Sequence, residues 1–493
     1  MLFRALVLVL LLTSIACAEE LTLEKAVENT LKLQADIITS KLDSDASKSA
    51  YAGAGGAFDH VLSSNAEIAS AETPLGEIEK QTYNSDKLTS DTETYAVKLS
   101  KLTRSGISVE TSASVFRQND VPYNQPTQAT SIIGIAINIP LFDLLMENKN
   151  STNEKIALEN SRARVDDYFF QASSSIYQTI AAYWNYLAAY ERLLVYKKSE
   201  ENIQKMLSDF EKLVEAKERP RADANQIRAN LAMKQGLVVS GERDLSTLGY
   251  QLAASMGVSI DETTLSPPSG KWATVDDPGK LSADMYIQNS YKNRFDIKSL
   301  ERVVHSAELM LDMARRGMKP DLDVYVSADY SDKGRDVTAD VVSNARTVKA
   351  GILFSTPLER SFGKSDVAQK EIALRQWKIN FANAKRKTAL DVTSALNELK
   401  QNLKAYEFSV ETVNLYQEAL TVEEKKLKLG MSTVIDVINT RENYQNALIA
   451  KIEGLRLVAV SLAGVAYSSG GMITADGDKI MVNLSGLYSL NAK

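Results

Sequence analysis

Two short stretches decide the fold: Gly134–Phe142, GIAINIPLF, and Gly351–Leu358, GILFSTPL. They share Gly, Ile, Pro and Leu at the same relative positions, and their glycines are 217 residues apart. Each stretch ends a run of alternating apolar residues and precedes a long helical pattern. Pro140 and Pro357 suit the last residue of a strand, where a missing N–H group costs least. The chain therefore builds one strand-to-helix junction twice, which indicates an internal duplication.

A second pair of similar segments marks the start of each copy. Glu28–Ile37 resembles Gln288–Ile297, with Asn, Lys, Asp and Ile coinciding at an offset of 260 residues. The junctions coincide at an offset of 217, so the first copy holds 43 more residues before its junction. Alternating residues over 93–117, with a turn at Arg104–Gly106, predict that this surplus forms an additional β-hairpin.

These offsets divide the chain into five parts. We expect a signal peptide at 1–18, a first repeat at 19–256, a linker at 257–282, a second repeat at 283–467 and a C-terminal tail at 468–493. The linker contains Pro267-Pro268 and Asp277-Pro278-Gly279, which break helices and strands. Each repeat is predicted to run helix, strands, junction, long helix, tight turn and returning helix.

The long helical patterns have the period of coiled coils. Apolar residues recur at alternating steps of three and four over Ile176–Leu194, over Ile203–Leu213 after a break in phase, and over Leu396–Val413. The predicted long helices cover Asp143–Ala216 and Ser365–Leu429. These stripes predict helix packing and no ligand site.

The predicted lengths suggest that each long helix is matched by two shorter helices placed end to end. The summed lengths of Asp223–Met256 and Ala283–Met318 are close to the length of one long helix, and those of Asp436–Tyr467 and Thr22–Ala52 are close to the length of the other. A globular bundle has no need of such matching, whereas the wall of a long tube does.

The strand patterns alternate between an apolar and a small or polar face, as at Ile133–Ile139, Leu322–Ala328 and Ile107–Val115. A soluble sandwich and a lipid-facing barrel share this pattern. A protomer with so few strands cannot close a barrel alone, so a barrel would have to be shared between subunits.

The N-terminus has the parts of a secretory signal. Arg4 precedes the apolar run Ala5–Leu12, and Ala16-Cys17-Ala18 has the small-x-small pattern of a cleavage site. We expect cleavage after Ala18. This would remove Cys17, the only cysteine, and would argue against both lipidation and disulfides.

Composition and motifs argue against catalysis and against nucleic-acid binding. The formal net charge is −6, and no basic run is present. The only histidines, His60 and His305, lack metal-ligand spacing. The sequence has no phosphate-binding loop and no GxSxG motif, so we expect no enzyme and no cofactor.

Three features together resemble the TolC-like outer-membrane efflux proteins: Leu21–Val27 (LTLEKAV), the paired Gly-x5-Pro-Leu junctions, and Leu429–Val437 (LGMSTVIDV). The resemblance implies a mainly α fold with β structure. A β-barrel shared between three subunits, with four strands from each, would continue as a long coiled-coil α-helical barrel. The linker and the tail would lie in the equatorial region of that barrel.

The resemblance also implies a function and a place in the cell. The protein would be a homotrimeric channel in the outer membrane of a Gram-negative bacterium, spanning into the periplasm. It would serve as the passive exit duct of a tripartite efflux or type I secretion system. Its expected partners are outer-membrane lipid, a periplasmic adaptor (membrane fusion) protein and an inner-membrane transporter.

In the family, the periplasmic mouth lies at the turns between long and returning helices. The turn residues here are Pro220, Arg221, Gly430 and Ser432. In the family a ring of acidic side chains helps to close the resting channel. Asp436 falls on one position of this ring, and the second position is occupied here by the amide Asn439. Asp223 falls on the acidic position of the closing lock, but Ser432 and Leu427 replace its usual Arg and Tyr partners. Arg219 or Arg221 could substitute for them, or these residues could simply be solvated turn residues.

The alternative is a periplasmic structural protein, such as an adaptor whose coiled coil grips other components. That class would show one helical hairpin inserted in a β-rich chain, without a duplicated strand-to-helix junction.

Overall fold

The computed structural model describes residues 20–122, 128–145, 148–217, 221–259, 266–273, 282–334, 345–483 and 488. The predicted signal peptide at 1–18 lies outside them. The chain divides into a helical unit, residues 1–43, 165–298 and 382–493, and a sheet unit, residues 44–164 and 299–381.

The order of elements follows the predicted duplication. The first copy runs α1 (Leu23–Leu33), α2 (Ala35–Gly55), β1 (His60–Pro74), α3 (Glu77–Tyr83), β2 (Lys87–Leu102), β3 (Ser108–Val121), β4 (Gln128–Pro140), α4 (Leu141–Leu145), α5 (Lys149–Glu215) and α6 (Arg221–Met256). The second runs α7 (Ala283–Asn293), α8 (Phe295–Arg316), β5 (Asp321–Gly334), β6 (Ala345–Ser355), α9 (Ser361–Lys428), α10 (Val434–Ser468), β7 (Ile473–Asp476) and β8 (Lys479–Val482).

The sheet unit contains a six-stranded antiparallel sheet in the order β1-β2-β3-β4-β5-β6. The additional hairpin predicted at 93–117 is confirmed as β2 and β3, joined by a turn in which Gly106 has φ +89. The sheet of one chain therefore has six strands, two more than the four per subunit that the resemblance implies for the barrel. The surplus residues of the first copy pair within the sheet, between β1 and β4.

Both opening helices are broken where one continuous helix was predicted. The extended residues are Gln34, between α1 and α2, and Arg294, between α7 and α8. These positions are equivalent at the offset of 260. Gly257, after α6, lies against the first break, and Gly470, after α10, lies against the second.

These two glycines end the returning helices at positive φ, 72 and 73. Each has the hydrogen bonds of a Schellman cap, in which the next residue donates to the carbonyl five residues earlier. The end of α6 therefore meets α1–α2, and the end of α10 meets α7–α8. The predicted end-to-end pairing is wrong, because four helices of similar length cannot be matched by their lengths alone.

The core of the helical unit is built around Trp184, which is fully buried. Its ring stacks on Trp272 at 5.4 Å and meets Tyr183 edge-on at 5.2 Å. The predicted stripe from Ile176 is buried as far as Leu187, but Leu194 is 48% exposed. Leu193 is buried in its place, so the stripe changes phase earlier than the sequence pattern suggested.

Candidate functional site

The two turns between long and returning helices are equivalent at an offset of 213 residues. Lys217, with φ 62, corresponds to Gly430, with φ 75. The returning helices begin at Arg221 and Val434, two residues before the predicted starts. Asp223 and Asp436 are consequently the third residue of their helices, where an acidic side chain faces the positive end of the helix dipole. Pro220 lies outside the described residues.

Asp436 closes a capping box at the start of α10. Its Oδ2 accepts hydrogen bonds from the Thr433 hydroxyl at 2.6 Å and from the Thr433 N–H at 3.2 Å. Its own N–H donates to Thr433 Oγ1 at 3.3 Å. The bonds from the hydroxyl, and then from the N–H, lower the pKa of Asp436 below its ordinary value of 3.8. The carboxylate is therefore a stable fixed charge at neutral pH.

The equivalent position in the first copy cannot form this box. The residue before Arg221 is Pro220, which has neither a hydroxyl nor a backbone N–H group. Asp223 is half-buried in the first turn of α6, and Arg221 is exposed. The two acids thus occupy equivalent helical positions with different local chemistry.

Ser432 and Leu427, which replace the family's lock residues, have local roles. The Ser432 hydroxyl donates a hydrogen bond to Glu423, which lowers the pKa of that carboxyl. Leu427 packs against an apolar cluster of the helical unit. Asn439 is exposed.

The apolar cluster against which Leu427 packs contains residues of both hairpins. Its buried members are Ile203, Phe210, Ile227, Val434 and Ile438, from α5, α6 and α10. Because Val434 is the first residue of α10, the cluster fixes the start of the second returning helix against the first hairpin.

An equivalent ion pair joins the two helices of each hairpin. Arg228 Nη2 lies 2.7 Å from Glu211 Oε1, joining α6 to α5. Arg441 pairs with Glu424 in the same way, joining α10 to α9. Both residues of each pair are related by the offset of 213, so the duplication extends to side-chain contacts.

A buried polar network, which the sequence reasoning missed, joins the two copies. Lys234 on α6 is only 4% exposed, and its Nζ donates to Gln445 Oε1 at 3.0 Å. Ser199 Oγ donates to the same oxygen at 2.7 Å, and Asn230 Nδ2 donates to Glu442 Oε1 at 2.8 Å. The sequence did carry a signal, because Lys234 lies on the stripe of α6 that also carries Ala224, Ile227, Leu231, Val238 and Gly241.

The junction glycines lie inside strands and make room for side chains of β5. Gly134 pairs with Asp329, and Gly351 pairs with Tyr325. A Cβ atom on either glycine would collide with the partner's side chain. Each junction glycine thus lies opposite a larger residue of the shared strand β5.

The junction prolines differ between the copies. Pro140 is the last residue of β4, as predicted. Pro357 is not the last residue of β6, because that strand ends at Ser355 and a short connection precedes α9. Arg360 in this connection has φ 52, a left-handed conformation that turns the chain before the helix.

Within the described part of the chain, no group of three His, Cys, Asp or Glu residues could hold a metal ion. In the same residues, no helix is both long and apolar enough to cross a membrane.

Residues 286–471 match the family model described as outer membrane efflux protein. The second repeat is therefore similar to the outer membrane efflux protein family. Its members are channel proteins of the outer membrane. The match covers most of the second repeat, including Gly351, Gly430 and Asp436. A search of curated proteins found no match.

Solved outer-membrane channels share the fold. The Campylobacter jejuni CmeC channel superposes with a TM-score of 0.64 at 16% identity, over 91% of this chain and 85% of that one. The open state of the Neisseria gonorrhoeae MtrE channel superposes with a TM-score of 0.62 at 14% identity, over 91% of this chain and 89% of that one. Vibrio cholerae VceC superposes with a TM-score of 0.63 at 13% identity, over 91% of this chain and 96% of that one.

Proposed function

We propose that the protein is the outer-membrane exit duct of a tripartite efflux or type I secretion system in a Gram-negative bacterium. It acts as a homotrimer and a passive conduit, without catalysis. The sheet unit forms part of a membrane barrel, and the helical unit forms part of the periplasmic duct wall. The tandem repeats, 19–256 and 283–467, supply equivalent parts of both walls, and the linker and tail lie at the equator.

The observation that carries this proposal is the two-faced sheet formed by β4, β5 and β6. The side of the sheet that carries Ile133, Ile135 and Ile137 also carries Val326 and Val348, which are 41% and 75% exposed. The opposite side carries Asn138, whose Nδ2 donates to Asp323 Oδ2 at 3.2 Å. An exposed apolar face opposite a polar one suits a barrel wall between lipid and an aqueous lumen.

An exposed stripe on α9 supports the association of copies. Phe408, Leu415 and Val422 recur every seven residues and are 58%, 60% and 49% exposed, and Leu429, directly after the helix, continues the spacing at 74%. A separate stripe of the same helix, including Leu396, Leu399 and Val413, is buried within the protomer. A helix with two apolar stripes packs on two sides, and we propose that the exposed stripe contacts a neighbouring copy.

The residues at the turns supply the periplasmic entrance. In a trimer, Asp436 would give three fixed carboxylates around the axis, with Asn439 and Asp223 nearby. Pro220, Arg221, Gly430 and Ser432 form the turns that the periplasmic adaptor and the inner-membrane transporter engage when the channel opens. The support for this proposal is the low pKa of Asp436 and the equivalence of the two turns.

Native mass measurement after detergent extraction from membranes tests the assembly. We expect a trimer, and a soluble monomer in the periplasmic fraction would favour an adaptor-like protein. Single-channel recording in planar bilayers tests the duct, with and without an adaptor. A purified trimer without conductance under either condition would contradict the proposed function.

A further inference from the structure

The inserted hairpin β2–β3 separates two strands whose counterparts pair directly. At the offset of 260, β5 corresponds to β1, and at the offset of 217, β6 corresponds to β4. In the second copy β5 and β6 are neighbours. In the first copy β2 and β3 lie between β1 and β4, and each is paired with a strand on both sides. The insertion has therefore widened the sheet.

The apolar face continues across the insertion. Val97 pairs with Ala113, Ala113 with Ile133, and Ile133 with Tyr330, so one line of residues crosses β2 to β5. Val97 and Ile133 are equally exposed, at 49% each. The hairpin thus presents the same kind of surface as the strands of the junctions.

The opposite face of the hairpin is polar. Lys98 Nζ lies 2.5 Å from Glu110 Oε2. Lys98 pairs with Ser112, which pairs with Gly134 on the polar side of β4. A hairpin projecting into water has no need to keep one face free of charge, whereas a hairpin between lipid and lumen does.

Charged groups end the apolar face of the hairpin at both ends. On β2 the outward residues between Glu93 and Lys101 are Tyr95, Val97 and Leu99. Glu93 pairs with Arg117 at 3.3 Å, and Lys101 Nζ lies 3.3 Å from His60 Nε2. From Glu93 to Lys101 the strand runs about 27 Å, which at a barrel tilt of about 40° rises about 21 Å and covers most of the roughly 25 Å apolar band of an outer-membrane barrel. Tyr95 lies beside the Glu93 end, where aromatic girdles occur.

We propose that β2–β3 is embedded in the membrane as part of the barrel wall and contacts lipid acyl chains through Tyr95, Val97 and Leu99. This proposal rests on the proposed function of the sheet as a barrel wall. Each protomer then supplies six strands, and three protomers close a barrel of eighteen. The edge strands β1 and β6 run antiparallel because six strands alternate in direction, so β6 of one copy pairs with β1 of the next.

The additional strands widen the lumen. Barrel diameter grows roughly linearly with strand number, so eighteen strands give a diameter about 1.5 times that of twelve. The hairpin therefore sets the width of the outer-membrane pore.

Single-cysteine labelling of the full-length trimer tests the placement of the hairpin. Val97→Cys and Ser112→Cys probe its two faces, and Ile135→Cys and Ala136→Cys probe the same faces on β4. Each is labelled with a fluorophore and reconstituted in phosphatidylcholine vesicles. The unsubstituted protein, whose only cysteine in sequence is Cys17, is the blank. Quenching by spin-labelled lipid is compared with quenching by iodide in water.

We expect spin-labelled lipid to quench probes at 97 and 135 to the same extent, and iodide to quench those at 112 and 136. If iodide quenches both 97 and 112 while lipid quenches 135, the hairpin projects into water and only this inference is wrong. If lipid quenches neither 97 nor 135, the barrel itself is wrong and the inference fails with it.

Electron microscopy of the unsubstituted trimer in lipid nanodiscs gives a measurement that does not depend on variants folding. Eighteen strands around the axis would support the inference. Twelve strands, with β2–β3 outside the wall, would overturn it and leave the proposed channel intact.

Discussion

Lys234 Nζ lies 3.0 Å from Gln445 Oε1, so a buried ammonium group of the first copy is held by a side chain of the second. Glu442 Oε1, at 3.4 Å, supplies the opposite charge. A buried charge is tolerated only where such partners compensate for its lost hydration. The network therefore fastens α6 to α10 near the proposed entrance.

Removing this ammonium group should loosen α6. Lys234→Ala takes away one donor of the network and leaves Gln445 Oε1 with one bond fewer, at a cost of about 1–3 kcal/mol. We expect amide hydrogen exchange over 227–238 to accelerate by about 5- to 150-fold, the range that corresponds to this cost. Gln226→Ala, an exposed substitution on the same helix, is the control. Equal exchange in the two variants would show that the network does not hold the helix.

The charge of Asp436 should set the ion preference of the channel. Three carboxylates at a constriction attract cations and resist anions, so Asp436→Asn should lower cation selectivity or raise conductance. Reversal potentials under a salt gradient measure this. Asp476→Asn removes the same charge from an exposed position in β7 and should have no effect. Unchanged selectivity in Asp436→Asn would reduce Asp436 to a helix cap.

The capping bonds should fix the pH at which this selectivity is lost. Because Thr433 lowers the pKa of Asp436, the carboxylate keeps its charge above the ordinary value of 3.8 and is protonated only as the pH falls below it. Thr433→Ala removes the hydroxyl donor and should move the midpoint of the loss to higher pH. Repulsion among three copies is common to both proteins and leaves the direction of the difference unchanged.

The matched control for that measurement is Thr440→Ala. The Thr440 hydroxyl donates to the backbone carbonyl of Asp436 at 2.8 Å and does not touch the carboxylate. Its removal should leave the midpoint in place. A midpoint that shifts equally in both variants would mean that helix fraying, and not the cap, controls the titration.

The sequence was sufficient to predict the long and returning helices, because their patterns are long and their ends carry specific residues. Gly430 and Asp436 marked a cap and a start to within two residues. The alternation at Tyr95–Val115 was also enough to locate the inserted hairpin. Local periodicity predicts such features well.

Features that depend on distant contacts were not predictable in this way. The breaks at Gln34 and Arg294 lie against glycines more than 170 residues away in sequence, at Gly257 and Gly470. The role of Gly134 depends on Asp329 on a neighbouring strand. Whether the hairpin joined the sheet was likewise left open by its own sequence, because pairing with β1 and β4 decides it.

Gly351 should tolerate no larger residue while Tyr325 lies opposite it. A Cβ atom at Gly351 would collide with the Tyr325 ring, so Gly351→Ala should destabilise the sheet by about 1–3 kcal/mol. The measurement is the temperature at which the proposed trimer dissociates on detergent gels. Tyr325→Ala in the same chain should restore it. Gly53→Ala, whose Cβ would meet nothing within 4 Å, is the control, and an equal loss there would remove the steric explanation.

Gly257 and Gly430 separate backbone strain from steric contact, because both are helix caps with φ of 72 and 75. A Cβ atom at Gly257 would lie 2.5 Å from the Leu33 carbonyl oxygen, whereas one at Gly430 would meet nothing within 4 Å. Gly430→Ala should therefore cost only the left-handed strain, about 1–2 kcal/mol. Gly257→Ala should cost more and should also disturb the α1–α2 break, since the backbone of Leu33 and Gln34 must move.

Thermal unfolding followed by circular dichroism compares the stabilities of the Gly430→Ala and Gly257→Ala variants, and hydrogen exchange over 30–37 shows whether the α1–α2 break is disturbed. Equal losses of stability, with exchange unchanged at Gln34, would show that Gly257 is only a helix cap and does not hold the opening helix in its broken form.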